Sequence, residues 1–242
     1  MGIFHTFVYQ PLYNTLIFLY NNVSGADFGI AIIMLTIIIR TILIPLYRTQ
    51  IQSQQKLQKL QPEIKKIQKK YKDDKEQQTK AMMELYRENK TNPFSGCLPL
   101  IVQIIFLIAI YRILITISGS GLVADSSELY GFVKNPGEIN QLFISLVDLT
   151  KPNIIIAVLA ALAQYFQTKM LLAKIPPKAK EGNEEGPDMA QIMNKQMLYL
   201  GPILTLMIGV QFPAGLSLYW LTSTAFMLVQ QVVLERSEKK AS

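Results

Sequence analysis

Long apolar runs alternate with strongly polar stretches along this chain. Five of the runs, at about 29–47, 98–117, 153–172, 198–212 and 214–233, approach the roughly 20 residues needed to cross a bilayer. None of the five contains Asp or Glu. The pattern predicts an all-α integral membrane protein with five transmembrane helices forming a core over 24–236. Only Phe212-Pro213-Ala214-Gly215 separates the last two runs, so they are expected to form a tight hairpin. Before the first run, Phe4, Phe7, Val8, Leu12, Leu16 and Leu19 recur at helical spacing, predicting an amphipathic helix over 1–23 that lies along the membrane interface. The first 22 residues lack a basic leading stretch, a small-residue cleavage site and a Cys for lipid attachment, and are expected to be retained.

The polar segments carry their own pattern. Segment 48–92 is rich in Gln, Lys, Glu, Leu and Met, with Pro62 opening a helix and Lys72-Asp73-Asp74-Lys75 marking a turn, so it predicts an antiparallel helical hairpin. Segment 176–190, polar and rich in Pro and Gly, is expected to be a mobile loop, and 237–242 a short tail. Of the 242 residues half are apolar, yet 24 are Lys or Arg against 17 Asp or Glu. A soluble domain would not combine these properties, whereas a membrane protein with its charges confined to loops does.

Charge also orients the chain. Residues 1–39 contain no Lys or Arg, whereas 48–92 contains 12. Alternating the five spans from there places 19 basic residues on one side and 2 on the other, which predicts an inner (plasma) membrane protein with its N-terminus outside and its C-terminus cytoplasmic. The hairpin, with 12 basic and 6 acidic residues, would then stand in the cytoplasm. Its Lys65, Lys66, Lys69, Lys70 and Lys72 suit a ribosome or anionic lipid headgroups, or simply solvent. No DNA partner is expected.

One charge is out of place. Arg40 lies within Thr36-Ile37-Ile38-Ile39-Arg40-Thr41-Ile42-Leu43-Ile44, in the middle of the first apolar run. An arginine at the centre of a membrane helix costs about 2.5–3.5 kcal/mol on insertion scales, so it should face a bundle interior or water. Gln103, Gln164, Gln167, Thr222, Ser223 and Thr224 fall at comparable depth in the other runs. If their faces converge, they make a polar groove open to the cytoplasm. Each could equally be interhelical hydrogen-bond glue. Arg112 is close enough to the end of its run to reach the headgroups.

These features exclude several functions. The single Cys97 and single His5 give no metal cluster, and no phosphate loop or nucleophile–base pair is present, so neither an enzyme nor a cofactor is expected. A proton-coupled transporter would need Asp, Glu or His at depth. A small-anion channel stays open as an alternative. The other alternative is a site that attracts the polar or acidic flank of a peptide and eases its entry into the bilayer.

Arg40-Thr41-Ile42-Leu43-Ile44-Pro45-Leu46, with Gln50, Ser53, Leu60-Gln61-Pro62 and Lys70-Tyr71, resembles the first core span and hairpin of the YidC insertase family. Leu85-Tyr86, Asn92-Pro93, Gly96-Cys97-Leu98-Pro99 and Gln103 are similar to the family's entry into its second core span. Asp148-Leu149-Thr150-Lys151-Pro152 resembles the approach to the third, and Phe212-Pro213-Ala214-Gly215-Leu216-Ser217-Leu218-Tyr219-Trp220 the final hairpin, followed by Gln230-Gln231. The matches run in order over about 24–236. The resemblance implies a five-helix core with a groove open to cytoplasm and lipid, the groove arginine falling on Arg40. It also implies insertion of nascent membrane proteins, often from a ribosome, with or without the Sec translocon. Against the family this reads as a minimal version. Ile104-Ile105 replaces the usual Pro after Gln103, predicting a straighter helix, and the short tail puts ribosome docking by a long basic tail in doubt.

Overall fold

A computed structural model describes residues 2–92, 98–172 and 189–241. The loop expected at 176–190 falls almost wholly outside the described residues, as does the Gly96-Cys97 part of the family motif. The chain forms two compact units: Met1–Thr41 with Ile105–Ser242, and Ile42–Ile104.

Along the chain, a π-helical turn His5–Tyr9 runs into α1 (Gln10–Asn22), followed by α2 (Phe28–Ile42), α3 (Ile44–Lys59), α4 (Gln61–Lys70), α5 (Lys75–Glu88) and α6 (Leu98–Gly119). A two-stranded antiparallel hairpin, β1 (Leu142–Phe143) and β2 (Val147–Asp148), precedes α7 (Ile154–Leu172), α8 (Met189–Gly209) and α9 (Ala214–Ala241). The protein is a mostly helical integral membrane protein, with three to four helices among the described residues long and apolar enough to span a bilayer. Ile101–Gly119, Ile154–Leu172 and Ala214–Leu234 are each long and apolar enough to cross a bilayer, and Phe28–Ile42 with Ile44–Ser53 qualifies as one broken span. The fourth apolar run appears as Leu198–Gly209, shorter than a full span.

Three boundaries differ from expectation. The first run is not a continuous helix over 29–47: it breaks at Leu43, two residues before Pro45, whose ring cannot donate to, and clashes with, the carbonyl one turn back. The fourth helix starts at Met189 rather than near 198, because its polar first turns are themselves good helix formers. The last helix does not stop with its apolar run, since α9 continues to Ala241.

In the first unit the spanning helices pack through small residues. Ala157 and Ala160 of α7 are fully buried, and a Cβ added to Gly209 of α8 would lie 2.7 Å from the Ala157 Cβ. Gly215 at the start of α9 packs likewise against Leu114 of α6 and Ile32 of α2. Phe28, Ala31, Ile32, Leu35, Thr36 and Ile39 form the buried stripe of α2, while Ile37, Ile38 and Ile42 are exposed, as on a helix with lipid on its other face.

The N-terminal helix also departs from expectation. Of the six residues expected to face lipid, Leu12, Leu16 and Leu19 are buried in protein, whereas Phe7 is 75% exposed. The helix is glued to the segment 120–153 by polar side chains acting on distant backbone. Tyr13 Oη accepts the Asp125 N–H at 2.7 Å, Asn14 Oδ1 the Tyr130 N–H at 2.6 Å, and Tyr20 Oη the Asn140 N–H at 2.8 Å. His5 Nε2 meets the Glu128 carboxylate at 2.9–3.0 Å. Burial pushes the Tyr13 hydroxyl up to about 12 from its ordinary 10.0, against the lowering effect of the Asp125 N–H. Arg112 lies over the Phe4 ring at 5.6 Å.

The second unit contains the helical hairpin. α4 and α5 pack through Leu60, Ile64 and Leu85, with Ile67, Met82 and Tyr86 around them. Pro62 sits in the first turn of α4, where its missing N–H costs nothing, and Asp74 caps α5 by accepting from Glu76 and Gln77.

Candidate functional site

The site is built where α2, α7 and α9 of the first unit present polar atoms among apolar ones. α2 holds Thr36 as its only polar side chain before Arg40, so the guanidinium is the first charged group on that helix. It reaches Ser223, a fully buried residue of α9. Arg40 Nε donates to Ser223 Oγ at 2.7 Å, and Nη2 donates to the same oxygen. Arg40 itself is only half-buried. A serine hydroxyl can accept both donors through its two lone pairs while leaving the cation's charge intact.

The neighbouring Thr224, also fully buried, turns toward α7. Its hydroxyl donates to Gln164 Oε1 at 3.4 Å, and Trp220 Nε1, one turn earlier on α9, donates to the same oxygen at 3.4 Å. α8 meets this layer at Gly201, where an added Cβ would lie 3.6 Å from Gln164 Nε2. Adjacent hydroxyls on α9 thus address two helices, Ser223 binding α2 and Thr224 binding α7. At about 100° per residue, neighbouring positions on one helix face different partners.

The residues expected to line a groove therefore separate into groups. Arg40 and Ser223 are in contact, and Gln164 joins them through α9. Gln167 is buried three residues further along α7, beside buried Thr168. Thr222 is half-buried and gives its hydroxyl to Leu218 O of its own helix at 2.8 Å. Gln103 is half-buried and lies in the second unit. Among the hairpin lysines, Lys66, Lys69, Lys70 and Lys72 are exposed and Lys65 is half-buried; Lys70 Nζ sits 5.1 Å from the Tyr71 ring centre.

Trp220 was not among the expected site residues. Its signal was the spacing of three and four residues from Ser223 and Thr224. Nothing local marks Gly201 as the residue beside Gln164.

Comparison with known proteins agrees with this architecture. Residues 18–241 match the model of the family described as 60Kd inner membrane protein. A Fusobacterium nucleatum protein named membrane protein insertase YidC is 35% identical over 229 residues, covering 93% of this chain and 96% of its own. One of the same name from Clostridium perfringens is 36% identical, covering 90% of this chain and 83% of its own. Another from Streptomyces avermitilis is 34% identical over 90% of this chain, which spans only 54% of that longer relative. The chain belongs to the 60Kd inner membrane protein family, that of the YidC membrane protein insertases.

Proposed function

We propose that this chain receives newly made membrane proteins and passes their segments into the bilayer through a hydrophilic groove, open to cytoplasm and lipid, whose cationic centre is Arg40. The observation that carries the reading is the Arg40–Ser223 contact. It holds a charge at a defined place on an apolar helix by an acceptor that does not neutralise it. A cation so held retains water and attracts the carboxylates of an entering tail, thinning the hydrocarbon that the tail must cross. Ser223 and Gln164 form the groove's polar wall, with Gln167 continuing it along α7. Gln103, in the other unit, is not assigned to it.

In this reading the N-terminus is outside and the hairpin cytoplasmic, following the 19-to-2 distribution of basic residues. The exposed Lys66, Lys69, Lys70 and Lys72, with Lys65, then offer a cationic surface to a ribosome carrying a nascent chain. The protein works alone or beside the Sec translocon.

The test is reconstituted insertion of one short-tailed client made with acidic, neutral and basic tails, using Arg40→Lys, Arg40→Ala and Arg40→Glu. Arg40→Ala should slow the acidic client about tenfold, equivalent to about 1.4 kcal/mol. That is well within the about 4 kcal/mol exchanged by unit charges about 4 Å apart at an effective dielectric of about 20. Arg40→Lys should retain substantial activity, and Arg40→Glu should be worst with the acidic tail. Equal losses for all three tails in Arg40→Ala would refute electrostatic capture.

A further inference from the structure

The β1–β2 hairpin ends in a turn that its sequence does not favour. Leu146 N–H closes the turn on Phe143 O at 3.0 Å, and the two residues between, Ile144 and Ser145, have φ of +47° and +60°. Turns with two left-handed central residues favour Asn and Gly, and a β-branched residue is among the worst choices there. The conformation is imposed from outside the turn. Asp27 Oδ2 accepts the Ile144 N–H at 2.6 Å while its Oδ1 caps α2 at the Ile30 N–H, 2.9 Å away. The Phe143 ring lies on the bare backbone of Gly29, where a Cβ would come within 2.3 Å of it. The result is that Ile144 is 53% exposed and Leu146 79% exposed, both pointing away from the protein.

A water-facing tip gains nothing from this arrangement, because Asn or Gly at 144 would relieve the strain and remove the apolar surface together. Its position supplies a reason for it. The turn is fastened to the first turn of α2, and from Gly29 to Ile39 that helix holds Thr36 as its only polar side chain. The fastening point is therefore where the chain passes from polar medium into hydrocarbon. α7 begins the same way, with Ile154 and Ile155 of its first turn 67% and 68% exposed.

We propose that Ile144 and Leu146 form a membrane-dipping tip, occupied by the upper acyl chains of the leaflet at the N-terminal end of α2, and that the tip sets the depth of that helix. Arg40 lies eleven residues beyond Gly29. At about 1.5 Å per residue, this places its Cα about 16 Å below the anchored boundary. That depth is near the middle of a hydrocarbon core about 30 Å thick. The tip, Asp27 and Gly29 would thus hold the guanidinium at mid-membrane depth. The inference requires only that the chain is membrane-embedded, so it stands whether or not Arg40 captures acidic tails.

The test uses the full chain in vesicles of phosphatidylethanolamine and phosphatidylglycerol with no other protein, in a Cys97→Ser background. An environment-sensitive fluorophore is attached in turn at Ile144→Cys, Leu146→Cys, Ile38→Cys on the exposed apolar side of α2 and Lys72→Cys in the hairpin turn. Labels at 144 and 146 should emit blue-shifted from 72, and should be quenched more by a spin label high on the acyl chain than by one near its methyl end; position 38 should show the reverse preference. Using both tip positions guards against one cysteine disturbing the turn. Aqueous emission at 144 and 146 alike, with quenching no greater than at 72, would overturn the proposal. A blue shift without lipid quenching would give the tip to a second copy of the chain, and shielding that needs added membrane extract would give it to a protein partner; either result would also overturn it.

Discussion

Removing the Ser223 hydroxyl should destabilise the first unit by about 2 kcal/mol, and should do so through Arg40. Two guanidinium donors converge on one Ser223 oxygen, so a single acceptor is lost by Ser223→Ala and the two bonds do not count twice. A hydrogen bond to a charged group contributes about 1.5–3 kcal/mol. The about 3–5 kcal/mol that follows from stranding a fully buried charge is not reached, because Arg40 is half-buried and water can replace part of the loss. For a chain of this size about 2 kcal/mol corresponds to roughly 4–8 °C in melting temperature. Trp220, the only tryptophan, lies one turn from Ser223 and donates to Gln164, so its emission reports on this layer.

The control is a double-mutant cycle with Arg40→Met, which keeps a long side chain but removes the donors. If the cost runs through Arg40, Ser223→Ala in that background should lower the melting temperature by less than half as much. Insertion of an acidic-tailed client should weaken with Ser223→Ala, though less than with Arg40→Ala, because the charge remains and only its position loosens. An equal melting shift in both backgrounds would make Ser223 a packing residue and refute the assignment.

Two further outcomes follow from other parts of the molecule. Ile64→Ala should cost the hairpin about 2–5 kcal/mol, since Leu60, Ile64 and Leu85 are its core, while hydrogen exchange in α7 and α9 stays unchanged because they belong to the other unit. The Tyr13 hydroxyl has its folded value raised to about 12 from 10.0, so the stability held by its neutral form is complete below pH 10 and lost as pH rises from about 10 through about 12. Absorbance of tyrosinate together with exchange of α1 amides should show the helix loosening in that window, and Tyr13→Phe should remove that contribution to the pH dependence.

What could be read in the sequence was what depends on local pattern. Apolar runs fixed α6, α7 and the start of α9 to within a few residues, and Pro62 with Asp74 marked the starts of the hairpin helices because both act within one turn of themselves. Arg40 stood out because a charge breaks an otherwise apolar run. What escaped depends on partners far away in sequence. The docking of α1 rests on Tyr13, Asn14 and Tyr20 meeting backbone groups more than 110 residues along the chain. Thr222 and Ser223 looked equivalent as neighbours in sequence, yet the turn of the helix sends one to its own backbone and the other to Arg40. Pro45 is a local signal for the break at Leu43, masked by apolar residues on both sides of it.

The choice of a hydroxyl as the Arg40 acceptor bears on how a membrane protein can carry a working charge. A carboxylate at position 223 would satisfy the same donors, and at contact distance would bind more tightly, but it would cancel the field beyond a few ångströms and leave a nearly neutral pair. A serine gives less energy and leaves the cation's charge intact. Stability given up at this contact is then compensated elsewhere on the same helices: by the α2 stripe from Phe28 to Ile39, by Gly215 against Leu114 and Ile32, and by the Asp27 cap at the start of α2. Each lies toward the N-terminal side of Arg40, leaving only Thr41 and Ile42 between the charge and the end of the helix. α2 is therefore held firmly along its apolar length, and at its charged end Arg40 donates to Ser223, an acceptor that itself carries no charge.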